Sequence, residues 1–329
     1  MASVTPRASV AAFLGALGAW IATPVTAAPV VVATILPVHA LVASVMGEVG
    51  QPTLLLPPGF SEHTAALKPS EAKALADADL VVWVGEGIET LLAKPIRTLP
   101  KKTTVVTLSR DAGIALLKNR AGGLWDSHDD DHSQPAGKRA VKAHDHGKGH
   151  KHGHHDDNQH VWLDPDNAKK IVTHVAATLA RIDGANAGRY AANAQATNAE
   201  LDRLDAELRL LLAPARKVPF IVFHDAFPYF ERRYDLNAIG SITVSPEQKP
   251  GSKRVIEIRD KLTRAKAACI FGEPQYDASL LRNLVEGTSV RIGTLDPLGS
   301  TAAPGPAAYE TLMRTLATAL RECLAPGAS

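Results

Sequence analysis

Short apolar runs recur along this chain, and between them the apolar positions step by three and four. In the first half the runs fall at 30–35, 53–56, 80–84 and 104–108, and each reads as a strand. Helical patterns fill the gaps at 38–47 and 68–76, the second with Pro69 placed for a first turn. After residue 159 a stripe of Ile171, Val175, Leu179 and Ile182 predicts a helix over 166–182. A second helix is expected over 187–212, with Leu201, Leu204, Leu208 and Leu211 on one face and Pro214 as its stop. At 1.5 Å per residue it is a rod roughly 40 Å long. The alternation then resumes, with strands at 219–223, 238–244, 267–271 and 290–295 and helices at 226–234, 252–265, 276–286 and 307–323.

Continuous apolar strands separated by helices indicate parallel sheets covered on both faces. The fold class expected is therefore α/β, with two (β/α)4 lobes joined by a long rigid helix. The boundaries read as 29–185 for the N-terminal lobe, 186–213 for the connecting helix and 214–329 for the C-terminal lobe.

Two segments depart from the pattern. Residues 1–28 carry one charge, Arg7, then an apolar stretch over 11–21 and small residues at Thr26-Ala27-Ala28. This is the layout of a cleaved export signal; the rival, an uncleaved anchor, is disfavoured because Pro24 interrupts the run. Residues 127–159 hold His128, His132, His144, His146, His150, His152, His154 and His155 among Asp, Gly and Lys, with almost nothing apolar. Such a loop cannot bury a core and is expected to be disordered. It suits loose metal chelation, a solvating spacer being the plainer alternative.

Chemistry changes the picture further. The net charge of +2 is close to balance, and the few aromatics never interleave with basic residues, so nucleic acid is not an expected partner. The only two cysteines, Cys269 and Cys323, lack CxxC partners, which disfavours a thiolate zinc site. In an exported chain they are expected to form a disulfide, two buried thiols being the alternative.

The remaining histidines stand mostly at the ends of apolar runs. His63 follows Glu62 in the loop after the second strand, His160 opens a Val-Trp-Leu run, and His224 closes the first strand of the second lobe. Glu273 and Asp296 follow the third and fourth strands of that lobe. Open parallel sheets bind ligands beyond the carboxyl ends of their strands, so these stations belong to a cleft between the lobes. Three imidazoles and one oxygen, from Glu62, Asp296 or water, suit Zn²⁺. Each station also has a plain structural reading, which wins for His39 and His174, both inside helices.

In order, Gly59-Phe60-Ser61-Glu62-His63, Lys68-Pro69-Ser70, the acidic-histidine loop, His160-Val161-Trp162-Leu163-Asp164-Pro165, Phe223-His224-Asp225-Ala226-Phe227-Pro228-Tyr229-Phe230, Phe271-Gly272-Glu273-Pro274-Gln275 and Thr294-Leu295-Asp296-Pro297-Leu298-Gly299 resemble the periplasmic zinc-binding component, of the ZnuA type, of bacterial ABC zinc importers. The resemblance runs from about Val30 to Leu324 and includes the Cys269/Cys323 pair, a disulfide in similar proteins. It implies a solute-binding protein, not an enzyme, with zinc held by His63, His160 and His224 in the inter-lobe cleft. The fourth ligand varies in the family. It also implies a periplasmic location and delivery to a membrane permease driven by a cytoplasmic ATPase, and a monomer is expected. Two other classes are kept: a manganese- or iron-binding protein of the same fold, or a metal-buffering or adhesion protein, and a secreted zinc hydrolase. The third histidine speaks against manganese, and the missing HExxH motif speaks against the hydrolase.

Overall fold

The computed structural model describes residues 27–59, 67–120, 125, 157–243, 251–325 and 327. Residues 1–26 of the expected export signal, Glu62, His63 and the eight histidines of the tract lie outside the described residues. No helix among the described residues is long and apolar enough to cross a membrane.

The first lobe runs β1 (Val31–Ala33), α1 (Leu36–Met46), β2 (Thr53–Leu54), α2 (Pro69–Asp77), β3 (Leu80–Trp83), α3 (Ala93–Arg97), β4 (Thr104–Thr107) and α4 (Leu108–Asp111). A two-stranded ladder follows, β5 (Leu117–Lys118) with β6 (Asp157–Asn158), then α5 (Pro165–Ile182) and the long α6 (Ala187–Leu211). The second lobe comprises β7 (Pro219–Val222), α7 (Pro228–Tyr234), β8 (Asn237–Ser241), α8 (Ser252–Arg264), β9 (Cys269–Gly272), α9 (Ser279–Val285), β10 (Arg291–Thr294) and α10 (Ala308–Leu324).

Both sheets are parallel and share one order. The first is β2-β1-β3-β4, and the second, read in the same sense, is β8-β7-β9-β10. The winding order therefore reverses between the first and third strands of each lobe, and the crevice of a doubly wound sheet opens at that point. Continuous burial holds in the central strands, where every residue of β1, β3 and β9 is buried, but not at the sheet edges, where β8 is half-buried over most of its length and β10 is largely exposed. In β7, Phe220 and Val222 join one core while Ile221 and Phe223, one residue past its end, join another, so the strand period of two feeds both faces.

The long α6 is more than a connector. Its buried stripe of Tyr190, Ala194, Leu201, Leu204 and Leu208 packs on α5 and α1 of the first lobe and on α10 of the second. One core cluster consequently runs through both lobes, from Leu41 and Val45 through Leu201 and Leu208 to Leu312 and Leu316. Arg233 on α7 adds a polar tie, pairing with Asp205 of α6 at 2.8 Å and with Asp166 of α5. The disulfide expected between Cys269 and Cys323 is present, with Cα atoms 6.2 Å apart, joining the start of β9 to α10.

The β5–β6 ladder has no counterpart in the expected element list, because strands of two residues leave no periodic signal. Its second strand, with Gln159 after it, lies in the stretch that composition assigned to the polar tract. Asn158 and Gln159 are buried there. The Asn158 side chain finds tertiary partners, the Asp225 carbonyl and the His160 ring, that composition cannot register.

Candidate metal site

His224 stands two residues beyond β7 and Glu273 directly follows β9, so the pair spans the switch point of the second sheet. Nδ1 of His224 lies 2.5 Å from Oε1 of Glu273, and both side chains are almost wholly excluded from solvent. His160 arrives from the other side, at the exit of β6 and before a short turn, Val161–Leu163, that leads into α5. Trp162 holds that turn against the second lobe: its Nε1 donates to the Pro297 carbonyl at 2.8 Å, while Tyr309 Oη donates to the Trp162 carbonyl at 2.8 Å.

The two rings meet. Nε2 of His160 lies 3.2 Å from Nε2 of His224, with ring centroids 5.1 Å apart. The surrounding bonds settle the tautomers. Asn158 Oδ1 receives the backbone N–H of His160 at 3.1 Å, so it is an acceptor, and the ring Nδ1 at 3.1 Å must donate to it. Nδ1 of His224 likewise donates to the Glu273 carboxylate. When both rings are neutral, as metal ligation requires, each carries its proton on Nδ1 and turns the Nε2 lone pair toward the other ring. Two facing lone pairs repel, and a cation between them removes the repulsion. Two imidazoles sharing a tetrahedral Zn²⁺ at 2.0–2.1 Å place their nitrogens about 3.3 Å apart, close to the observed separation. A carboxylate or carbonyl oxygen behind each imidazole is also what orients ligand histidines at metal centres.

Asp296 sits two residues past β10 and is buried, but its oxygens serve its own loop. Oδ1 accepts from the backbone N–H groups of Leu298 and Gly299 at 3.0 Å each, and Oδ2 accepts from the N–H and hydroxyl of Ser300 at 2.6 Å each. Among the described residues no group of three His, Cys, Asp or Glu is assembled to hold a metal. Of the five primary ligand candidates, then, the structure brings His160 and His224 together, shows Asp296 committed to a turn, and leaves Glu62 and His63 outside the described residues. His39 is a structural histidine: buried in α1, it has Nε2 3.0 Å from the Pro52 carbonyl. His174 lies half-buried on α5.

Two contributors were not legible as such. Glu273 stood out only as a strand-end carboxylate in a Glu-Pro pair, and Asn158 looked like the tail of the polar tract. Only their distance from an imidazole identifies them.

Comparison with known proteins follows the same lines. The model of the family described as zinc-uptake complex component A, periplasmic (ZnuA), matches residues 31–323. The high-affinity zinc uptake system protein ZnuA of Brucella abortus (strain 2308) is 42% identical over 306 residues, covering 89% of this chain and 91% of its own. A crystal structure of ZnuA superposes with a TM-score of 0.73 at 24% identity, covering 91% of this chain and 100% of that one. An internal-deletion mutant of ZnuA with zinc bound gives a TM-score of 0.72 at 23% identity, covering 92% of this chain and 100% of that one.

Two like-ordered parallel sheets, a long helix packed against helices of both lobes, and the matching family and relatives mark a solute-binding protein of the metal-binding kind, a class without enzymatic activity. The chain belongs to the periplasmic zinc-uptake component A family, ZnuA. Membership of a periplasmic family makes it an exported protein.

Proposed function

We propose that this protein captures zinc in the periplasm and delivers it to the permease of an ABC importer powered by a cytoplasmic ATPase, acting as a monomer after cleavage of residues 1–28. The observation that carries the reading is the His160–His224 pair, whose Nε2 atoms face each other at 3.2 Å with both Nδ1 protons committed to acceptors. His63 supplies the third imidazole. The fourth position falls to Glu62 or water in preference to Asp296, which would give up hydrogen bonds within its own loop to reach a metal. The histidines from His128 to His155 form an accessory collecting segment that hands zinc to the cleft.

Zinc titration of the mature protein against a chromophoric chelator, with manganese as competitor, tests this. One tight zinc site that outcompetes manganese and is lost in His224→Ala and in His160→Ala is the expected result. Tight binding that survives both substitutions, or a preference for manganese, would overturn it.

A further inference from the structure

His160 and His224 come from segments 64 residues apart, yet their rings are held in register. Besides the Trp162 and Tyr309 bonds, a strap running from the β5–β6 ladder to the second lobe holds them. The β5–β6 ladder pairs only Leu117 with Asn158 and Lys118 with Asp157, too little to be stable alone. It is docked on α7. The Tyr229 hydroxyl accepts from the Leu117 N–H at 2.9 Å and donates to the Asn158 carbonyl at 2.7 Å. Arg120, just past β5, forks onto Glu231 at 2.8 Å through both terminal nitrogens and onto Asp225 through Nε at 3.0 Å.

Asn158 closes the strap. Its Nδ2 donates to the Asp225 carbonyl at 2.6 Å, and its Oδ1 receives both N–H groups of His160. Asp225 is the covalent neighbour of His224. The link from one imidazole to the other thus passes through a single buried amide, and no strand of the first lobe's sheet enters it.

We propose that Asn158 is a positioning residue for zinc. It sets the tautomer of His160 and aims its Nε2 at His224, so the docked stem, and not the histidine tract it carries, is what tight binding in the cleft requires. This rests on the reading of His160 and His224 as zinc ligands. Outer-shell partners of ligand histidines typically contribute about 10- to 100-fold in metal affinity.

Two deletions in the mature protein separate stem from tract: one removing residues 127–156, the other residues 127–158. They are compared with Asn158→Ala, Tyr229→Phe and His224→Ala. Zinc affinity is read by chelator competition, site geometry by the visible bands of the cobalt-loaded protein, and folding by the melting temperature of the metal-free form. The shorter deletion is expected to keep wild-type affinity and cobalt bands. The longer deletion and Asn158→Ala are expected to bind about 10- to 100-fold more weakly with altered cobalt bands, while the metal-free melting temperature stays near wild type. Tyr229→Phe keeps the side-chain amide and is expected to weaken binding in the same direction by less. It carries the test if Asn158→Ala does not fold. Wild-type affinity and bands in Asn158→Ala, Tyr229→Phe and the longer deletion, with binding lost in His224→Ala, would overturn the positioning role alone. Binding that persists in His224→Ala would overturn the ligand assignment itself.

Discussion

The Glu273 carboxylate sits 2.5 Å from Nδ1 of His224, across the switch point between β7 and β9, with both side chains buried. The carboxylate decides which nitrogen of His224 carries the proton, and its charge raises the basicity of the other. Glu273→Gln keeps an acceptor oxygen but removes that charge. It is expected to weaken zinc binding about 10-fold, and Glu273→Ala up to about 100-fold, in chelator-competition titrations. Equal affinities for wild type and Glu273→Ala would show the carboxylate to be packing only.

The Cys269–Cys323 bridge closes a loop of 54 residues at the end of β9 away from Glu273. In the chain-entropy model such a loop stabilises the fold by roughly 4 kcal/mol. For a chain of this size that corresponds to a loss of roughly 5 °C in melting temperature when both cysteines become alanine. Calorimetry is expected to show that loss, while zinc stoichiometry and affinity stay unchanged because no ligand lies at that end of the strand.

His39 provides a pH dependence separate from the metal. Burial lowers its pKa below the ordinary 6.5, with the bond to the Pro52 carbonyl opposing the shift. The folded state therefore prefers the neutral ring more than the unfolded chain does. The associated stability is complete above 6.5 and is lost as pH falls through the lowered folded value. Thermal unfolding of the metal-free protein is expected to show a midpoint that falls as pH drops below 6.5. The fall should be shallower in His39→Gln, and parallel curves for the two proteins would refute the assignment.

One core cluster runs through α1, α6 and α10 of both lobes, and Arg233 ties α7 to α5 and α6. Solution scattering is therefore expected to give superposable curves for zinc-free and zinc-loaded protein. Arg233→Met should lower stability by about 1 kcal/mol, because half-buried Asp205 and half-exposed Asp166 each lose one cationic partner while keeping Arg209 and Lys169. A marked contraction on loading would contradict the continuous core.

Much of this molecule is written in its local pattern. The apolar runs correspond to β1–β4 and β7–β10, the stripes of Leu201, Leu204 and Leu208 and of Ile171, Val175 and Leu179 correspond to α6 and α5, and Cys269 and Cys323 are joined. These follow from chain neighbours, since the periods of two and 3.6 are properties of the backbone itself. Even the location of His224, Glu273 and Asp296 at strand ends is a matter of counting along the chain.

The chemistry of the site depends on contacts that sequence distance conceals. His224 meets Glu273 across 49 residues, His160 meets His224 across 64, and Asn158 reaches the Asp225 carbonyl across 67. Asp296 and Glu273 look alike as strand-end carboxylates, yet one caps its own turn and the other orients an imidazole. Which lone pair faces the cleft is decided by what lies behind each ring, and only the folded chain sets that neighbour. The sequence by itself determined the two sheets, the long helix and the strand ends that carry the candidate ligands. The tertiary structure alone decided how the imidazoles are aimed, because a hydrogen bond between distant segments leaves no period to read.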